Sequence, residues 1–243
     1  MKTNTKQYLS AICVVIIATL IGAFVTLNFT PLKKLENSAS DIRISALQPP
    51  ENQSKKIVLA TITEETVSLF QYRSPVDREF IANLIMLLQA KGVRAIGIDI
   101  LLDSPTEVEK DEFLKETLSN ATVPLFFSYT NTPEVVTEEQ LKYLNAFIPV
   151  EMRAAANMAT DPFDGTVRWV FPGETNEGMP ISFPRKGAEL IGIDTTQLFA
   201  DQKKSQENLP IAWRPKKDLE TPAFKEYPAH ACLLYTSDAA DDC

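Results

Sequence analysis

Tyr72-Arg73-Ser74-Pro75-Val76-Asp77-Arg78 sets two guanidinium groups and a phenol around a sequence that reads as a helix start, with Ser74 at the N-cap and Pro75 at N1. A helix N-terminus attracts anions, and arginine grips carboxylate or phosphate through paired N–H groups. Tyr72, Arg73 and Arg78 are therefore candidate ligand-binding residues. The structural alternative pairs Arg78 with Asp77 or with an acid at a strand end. A second group consists of carboxylates. Glu64 and Glu65 follow one apolar run, Asp99 lies within another, and Asp103 stands just beyond it. In open α/β sheets ligands bind outside the carboxyl ends of the strands, so these acids could share a crevice with Mg²⁺ or a cationic ligand. The plainer reading has Asp99 capping a neighbouring loop and Asp103 opening the Ser104-Pro105-Thr106 turn. A third group, Asp161-Pro162-Phe163-Asp164-Gly165 with Arg168, reads as a hairpin turn, since it lacks the ligand count of a calcium loop.

Several chemistries are excluded outright. One histidine, His230, and three cysteines without a C-x-x-C pair leave no His/Cys zinc site. Eight glycines include no Walker loop and no dinucleotide fingerprint, and G-x-S-x-G is absent. With Lys+Arg 24 against Asp+Glu 32, the net charge is -8, which opposes generic nucleic-acid binding. A content of 44% hydrophobic and 23% charged residues over 243 positions is that of a folded chain with an ordinary core.

The elements that must position these groups alternate in type. Ile57–Ile62 is a β-branched apolar run, expected to be a strand covered on both faces. Val76, Phe80, Ile81, Leu84, Ile85 and Leu88 follow at helical spacing, and Gly92 supplies the stop. Ala95–Leu102 is a second expected strand, 109–118 a helix, 123–128 a third strand and 138–147 a third helix. Asp164-Gly165 marks a tight turn before a short strand at 167–171, and 181–191 is expected to be the last helix. This order indicates the α/β class, one domain with a parallel or mixed central sheet flanked by helices. Residues 32–56, with Pro49-Pro50, read as a polar connector holding a short ordered stretch at 41–46. Trp169 and Trp213 read as packing residues.

Leu9 to Phe29 carry no charge over 21 residues, enough for a helix to span a bilayer. A cleaved signal peptide competes, with Lys2 and Lys6 as its basic head, but this run exceeds the about 7–15 residues of such segments. Pro31 is expected to end the helix. Lys2 and Lys6 on one side and Lys33, Lys34 and Arg43 on the other nearly tie, so charge does not orient it.

Taken in order, these segments resemble the CHASE sensory domain of the second class, an extracytoplasmic input module of bacterial adenylate cyclases and histidine kinases. The resemblance runs from Asp41-Ile42-Arg43-Ile44 through Tyr72–Arg78, Arg94–Asp103, Pro105-Thr106-Glu107 and Asp164-Gly165 with Arg168, to Tyr227-Pro228-Ala229-His230. It implies three parts: 1–31 as a cytoplasmic head and transmembrane anchor, 32–231 as an extracytoplasmic sensor, and 232–243 as a tail. The implied location is a bacterial inner membrane with the sensor in the periplasm. Residues 232–243, from Cys232 to Cys243, resemble the translation of a transposon-end sequencing adapter and are expected to be an artefact on a truncated domain. The expected partners are the bilayer, through residues 9–29, and an unidentified small-molecule or protein ligand. A second copy of the chain is a candidate partner, and nucleic acid is not expected. No cofactor, metal or catalytic residue is expected, the output domain being missing. The rival reading is an anchored metal-dependent enzyme using Glu64, Asp99 and Asp103.

Overall fold

The computed structural model describes residues 4–28, 30–173, 178–205, 209–211, 213, 216–218 and 220–234. It begins with two helices, α1 (Asn4–Asn28) and α2 (Thr30–Leu47). Within α1, Tyr8–Val25 is long and apolar enough to cross a membrane, and none of it is buried by the rest of the protein. The polar stretch after Pro31 was expected to be a connector, yet it is helical to Leu47. Proline lacks only an N–H that the first helical turn leaves unpaired anyway, so Pro31 is tolerated as the second residue of α2.

Strand β1 (Ser54–Thr61) leads into the short α3 (Glu64–Val67) and then α4 (Arg78–Ala90). The start of α4 differs from expectation. Ser74-Pro75 is a cis peptide, and the N-cap is Asp77, whose carboxylate accepts the Phe80 N–H at 2.9 Å. Gly92, at φ 74°, ends the helix as expected. Then follow β2 (Ile96–Ile98), α5 (Val108–Ser119), β3 (Leu125–Tyr129), α6 (Glu138–Phe147), a 3₁₀ turn and β4 (Arg153–Ala155). A β5–β6 hairpin (Ala159–Thr160, Val167–Trp169), α7 (Phe183–Leu190), α8 (Thr196–Ser205), β7 (Phe224–Pro228) and α9 (Ala229–Leu234) complete the described elements. Helix α7 is thus not the last, and α9 continues across the boundary placed at residue 232, with Cys232 buried in it. Residues 235–243, Cys243 among them, lie outside the described residues.

The class is α/β, with parallel strands flanked by helices. The strands divide between two parallel sheets, β1·β7 and β2·β3·β4, with β5·β6 antiparallel. The core lies on one face of β2–β3–β4. Ile96, Ile98, Leu125, Phe127 and Tyr129 meet Ile81 and Ile85 of α4, Leu114 and Leu118 of α5, and Leu144 and Phe147 of α6. The strand period of two turns Gly97, Asp99, Phe126 and Ser128 to the other face. There Phe126 packs on Phe183 of α7 with ring centroids 4.6 Å apart. A Cβ on Gly97 would sit 2.5 Å from the Phe126 ring, so glycine is what lets β2 lie under that pair.

Strand β1 departs from expectation. Ile57 and Val58 are each 51% exposed, because among the described residues β1 pairs with β7 alone. Its apolar run signals a strand correctly but says nothing of what covers it. The centre of stability is the β2–β3–β4 core. Leu114→Ala, at a site with no exposure, is expected to cost about 2–5 kcal/mol in urea unfolding of the detergent-solubilised chain.

Candidate functional site

A cleft of about 300 Å³ opens between the loop before α4 and the loop before α5, lined by Tyr72, Ser74, Pro75, Pro105, Thr106 and Glu107. The two prolines stiffen opposite walls. Between them Tyr72 donates from Oη to Glu107 Oε2 at 2.5 Å, and Lys110 Nζ lies 3.4 Å from the other oxygen. Lys110 also donates to Asp77 at 2.5 Å, so the N-cap residues of α4 and α5, Asp77 and Glu107, share one ammonium group. The Tyr72 hydrogen bond, and then Lys110, hold Glu107 below the usual carboxylate range. The same bond raises Tyr72, and Asp77 raises Lys110. The cleft therefore presents an ionised carboxylate and a neutral phenol, with the Lys110 cation holding Glu107 from outside the lining.

The expected site residues part company here. Tyr72 is in the cleft. Arg73 is exposed and pairs with Glu64 at 2.8 Å, outside the cleft lining. Arg78 is completely buried, so no ligand reaches it directly. Its Nη2 donates to the Ser104 carbonyl at 2.8 Å and its Nη1 to that of Val76 at 3.2 Å. Its Nε faces Asp111 Oδ1 at 3.7 Å, and its guanidinium carbon lies 5.9 Å from the Phe147 ring centroid. Burial lowers its pKa, opposed by Tyr143 and Asp111. Asp111 is in turn bound by Tyr143 Oη at 2.8 Å and by the Thr106 hydroxyl at 2.8 Å.

The strand-end carboxylates do not converge. Asp99 follows β2 rather than lying within it, on the α7 face of the sheet, where it accepts from the Ser128 hydroxyl. Asp103 accepts from Gln140 Nε2 at 2.6 Å. With Glu64 on Arg73, each acid has its own partner, and the described residues contain no group of three His, Cys, Asp or Glu side chains able to hold a metal.

The Asp164-Gly165 hairpin does form, with Gly165 at φ 71°, and carries more than a turn. Arg168 binds Asp161 at 2.9 Å, Asp164 at 2.7 Å and, across 127 positions, Asp41 of α2 at 2.7 Å. Asn37 of α2 donates to Asp161, which is only 1% exposed. Helix α2 is thus locked to the hairpin by one guanidinium and one amide. Arg168 holds Asp41 and Asp164 below the usual aspartate range, and those two acids raise Arg168. Glu107, Lys110 and Asp111 lie in or within one turn of the Pro105-Thr106-Glu107 segment singled out in the sequence, but their partners Tyr72, Asp77 and Tyr143 come from distant positions. Asn37 fell in the stretch read as connector, where nothing pointed to it.

A family model described as the CHASE2 domain matches residues 12–235, which include both the cleft and the Arg168 cluster. Comparison with curated proteins and with solved structures gives no match.

Removing Arg168 leaves Asp161 buried and short of its cation. Arg168→Ala is expected to lower the denaturant midpoint of unfolding, because the nearly buried Asp161 loses its cation. The pH dependence has a defined sign. Asp41 and Asp164 have folded pKa values below the unfolded value of about 3.9, so their contribution is complete above that pH and is lost as pH falls below it. Wild-type stability should decline below about pH 4, and Arg168→Gln should show a shallower decline there in the same unfolding series.

Proposed function

From the premise that the chain belongs to the CHASE2 family, whose members are extracytoplasmic sensory domains, we propose that it is the membrane-anchored input domain of a bacterial signal-transduction protein. The family match over residues 12–235 carries this reading, together with an N-terminal helix able to span a bilayer. In it, the Tyr8–Val25 stretch of α1 crosses the inner membrane with the basic head before it in the cytoplasm, and everything from α2 onward lies in the periplasm. The output it controls is an adenylate or guanylate cyclase or a histidine kinase. No catalysis is assigned to the chain itself.

The cleft at Tyr72 and Glu107 is the ligand site in this reading. An ionised carboxylate flanked by two prolines and a phenol suits a small molecule that offers hydrogen-bond donors to the floor and apolar surface to the walls. Arg78, Asp103 and Asp111 serve that site from behind, by fixing the loops that form it. Arg73 and Asp99 stand outside it. Ligand occupancy at the junction of α4 and α5 would have to favour one of two arrangements of the domain to act as a signal. The Arg168 link to α2 offers a route back toward the membrane.

Two measurements test this reading. A secreted alkaline phosphatase fused after residue 234 should be active in a bacterial host, and an inactive fusion with stable expression would overturn the topology. A thermal-shift screen of amines, polyols and amino acids on the full chain in detergent should find a stabilising compound. Its effect should vanish in Glu107→Gln and in Tyr72→Phe, which remove the charge or the hydroxyl while keeping the shape. Retention of the shift in both variants would move the site elsewhere.

A further inference from the structure

Helix α2 has two faces of opposite kind. Asn37, Ser40, Asp41, Ile44 and Gln48 follow one side at helical spacing and are partly covered, with Asn37 and Asp41 holding the hairpin. On the other side Leu32, Leu35, Ala39, Ile42 and Ala46 are all exposed, Leu35 and Ile42 at 67% each. The intervals along this second face are three, four, three and four residues. That is the a/d period of a coiled-coil seam, with Leu32, Ala39 and Ala46 at a, and Leu35 and Ile42 at d. The docked face, centred on Asn37 and Ile44, occupies the f positions of the same heptads, directly opposite.

We propose that this seam receives the α2 helix of a second copy of the chain, forming a short parallel two-stranded coiled coil just outside the membrane. Three observations select this occupant. A 3.5-residue apolar period fits another helix of the same pitch, which an isolated surface patch would not require. Helix α1 ends at Asn28 and α2 begins at Thr30, so two chains inserted the same way round bring their α2 helices parallel, at one height and in register. The flanking charges also permit it. In a parallel pair the e positions Glu36 and Arg43 face the g positions Pro31 and Ser38 of the other helix, so no like charges meet. Two heptads are weak on their own, but tethering both copies in one bilayer raises their effective concentration. The pairing rests on the membrane anchor of the proposed function and on no property of the cleft.

The test is disulfide trapping of the full chain in native membranes, in a background carrying Cys13→Ala, Cys232→Ala and Cys243→Ser. On mild oxidation, Leu35→Cys and Ile42→Cys should each convert to a covalent dimer, while Lys34→Cys, exposed one position away from the seam, should remain monomeric. Adding Ile42→Asp to Leu35→Cys should abolish that dimer without lowering Tm, since Ile42 makes no contact with the core. Equal trapping at Lys34, no trapping at Leu35 and Ile42, or trapping unaffected by Ile42→Asp would each overturn the coiled coil. A chain that fails these tests but keeps its ligand-dependent thermal shift would leave the sensory reading intact. Successful trapping without any such shift would uphold the pairing alone.

Discussion

One fully buried guanidinium organises the end of the protein that carries the cleft. Arg78 opens helix α4 inside the core, with no exposure, and a charge there is tolerable only if protein groups replace its water. It obtains them from the Val76 and Ser104 carbonyls, the Asp111 carboxylate and the face of Phe147. Those groups belong to the loop before α4, the loop after β2, helix α5 and helix α6. Meeting the needs of one side chain therefore fixes four segments relative to one another. The cleft walls, Pro75 and Pro105, stand in two of those segments, and Glu107 lies four residues before Asp111. The position of the cleft is a by-product of solvating Arg78.

Arg168 does the corresponding work beside helix α2, under a different constraint. Asp161 is nearly as buried as Arg78, but as an anion, and it draws Arg168 and Asn37 toward it. Because Asn37 and Asp41 belong to α2, satisfying that acid secures the helix that follows the apolar helix α1. In each of the two clusters a single buried charge recruits partners from distant sequence, Arg78 in one and Asp161 in the other.

What could be read directly was local. Helix α6 falls on residues 138–147 as its period indicates, Gly92 ends α4, and Asp164-Gly165 turns a hairpin. The errors occur where distant groups decide the outcome. Ser74-Pro75 carries every local mark of a helix start, yet the helix waits for Asp77, where the first turn can also receive Lys110 and bury Arg78. Residues 32–47 look like linker because charged and polar residues and flanking prolines dominate them, although Leu32, Leu35, Ala39, Ile42 and Ala46 keep a helical period; what docks that helix, Asp41 on Arg168, is not written locally. The two arginines of the Tyr72–Arg78 segment are alike as letters but opposite in fate, one solvated beside Glu64 and the other buried beneath the cleft. The carboxylates at the strand ends share a neighbourhood in sequence, but the alternation of β2 sends Asp99 to the α7 face, away from Asp103.

The openness of β1 has a practical consequence for handling the protein. Ile57, Val58 and Leu59 form an apolar, uncharged triplet exposed to solvent on a strand with, among the described residues, a single hydrogen-bonded neighbour. Such an edge is a template for adding strands from other molecules and so a seed for aggregates. Lys55 and Lys56 immediately precede the triplet and are exposed. Their like charges repel an incoming copy of the same strand in parallel register, the arrangement in which identical segments stack most readily. Solubility of the concentrated protein thus depends on two lysines that belong to neither site, and conditions that screen or neutralise them remove that protection.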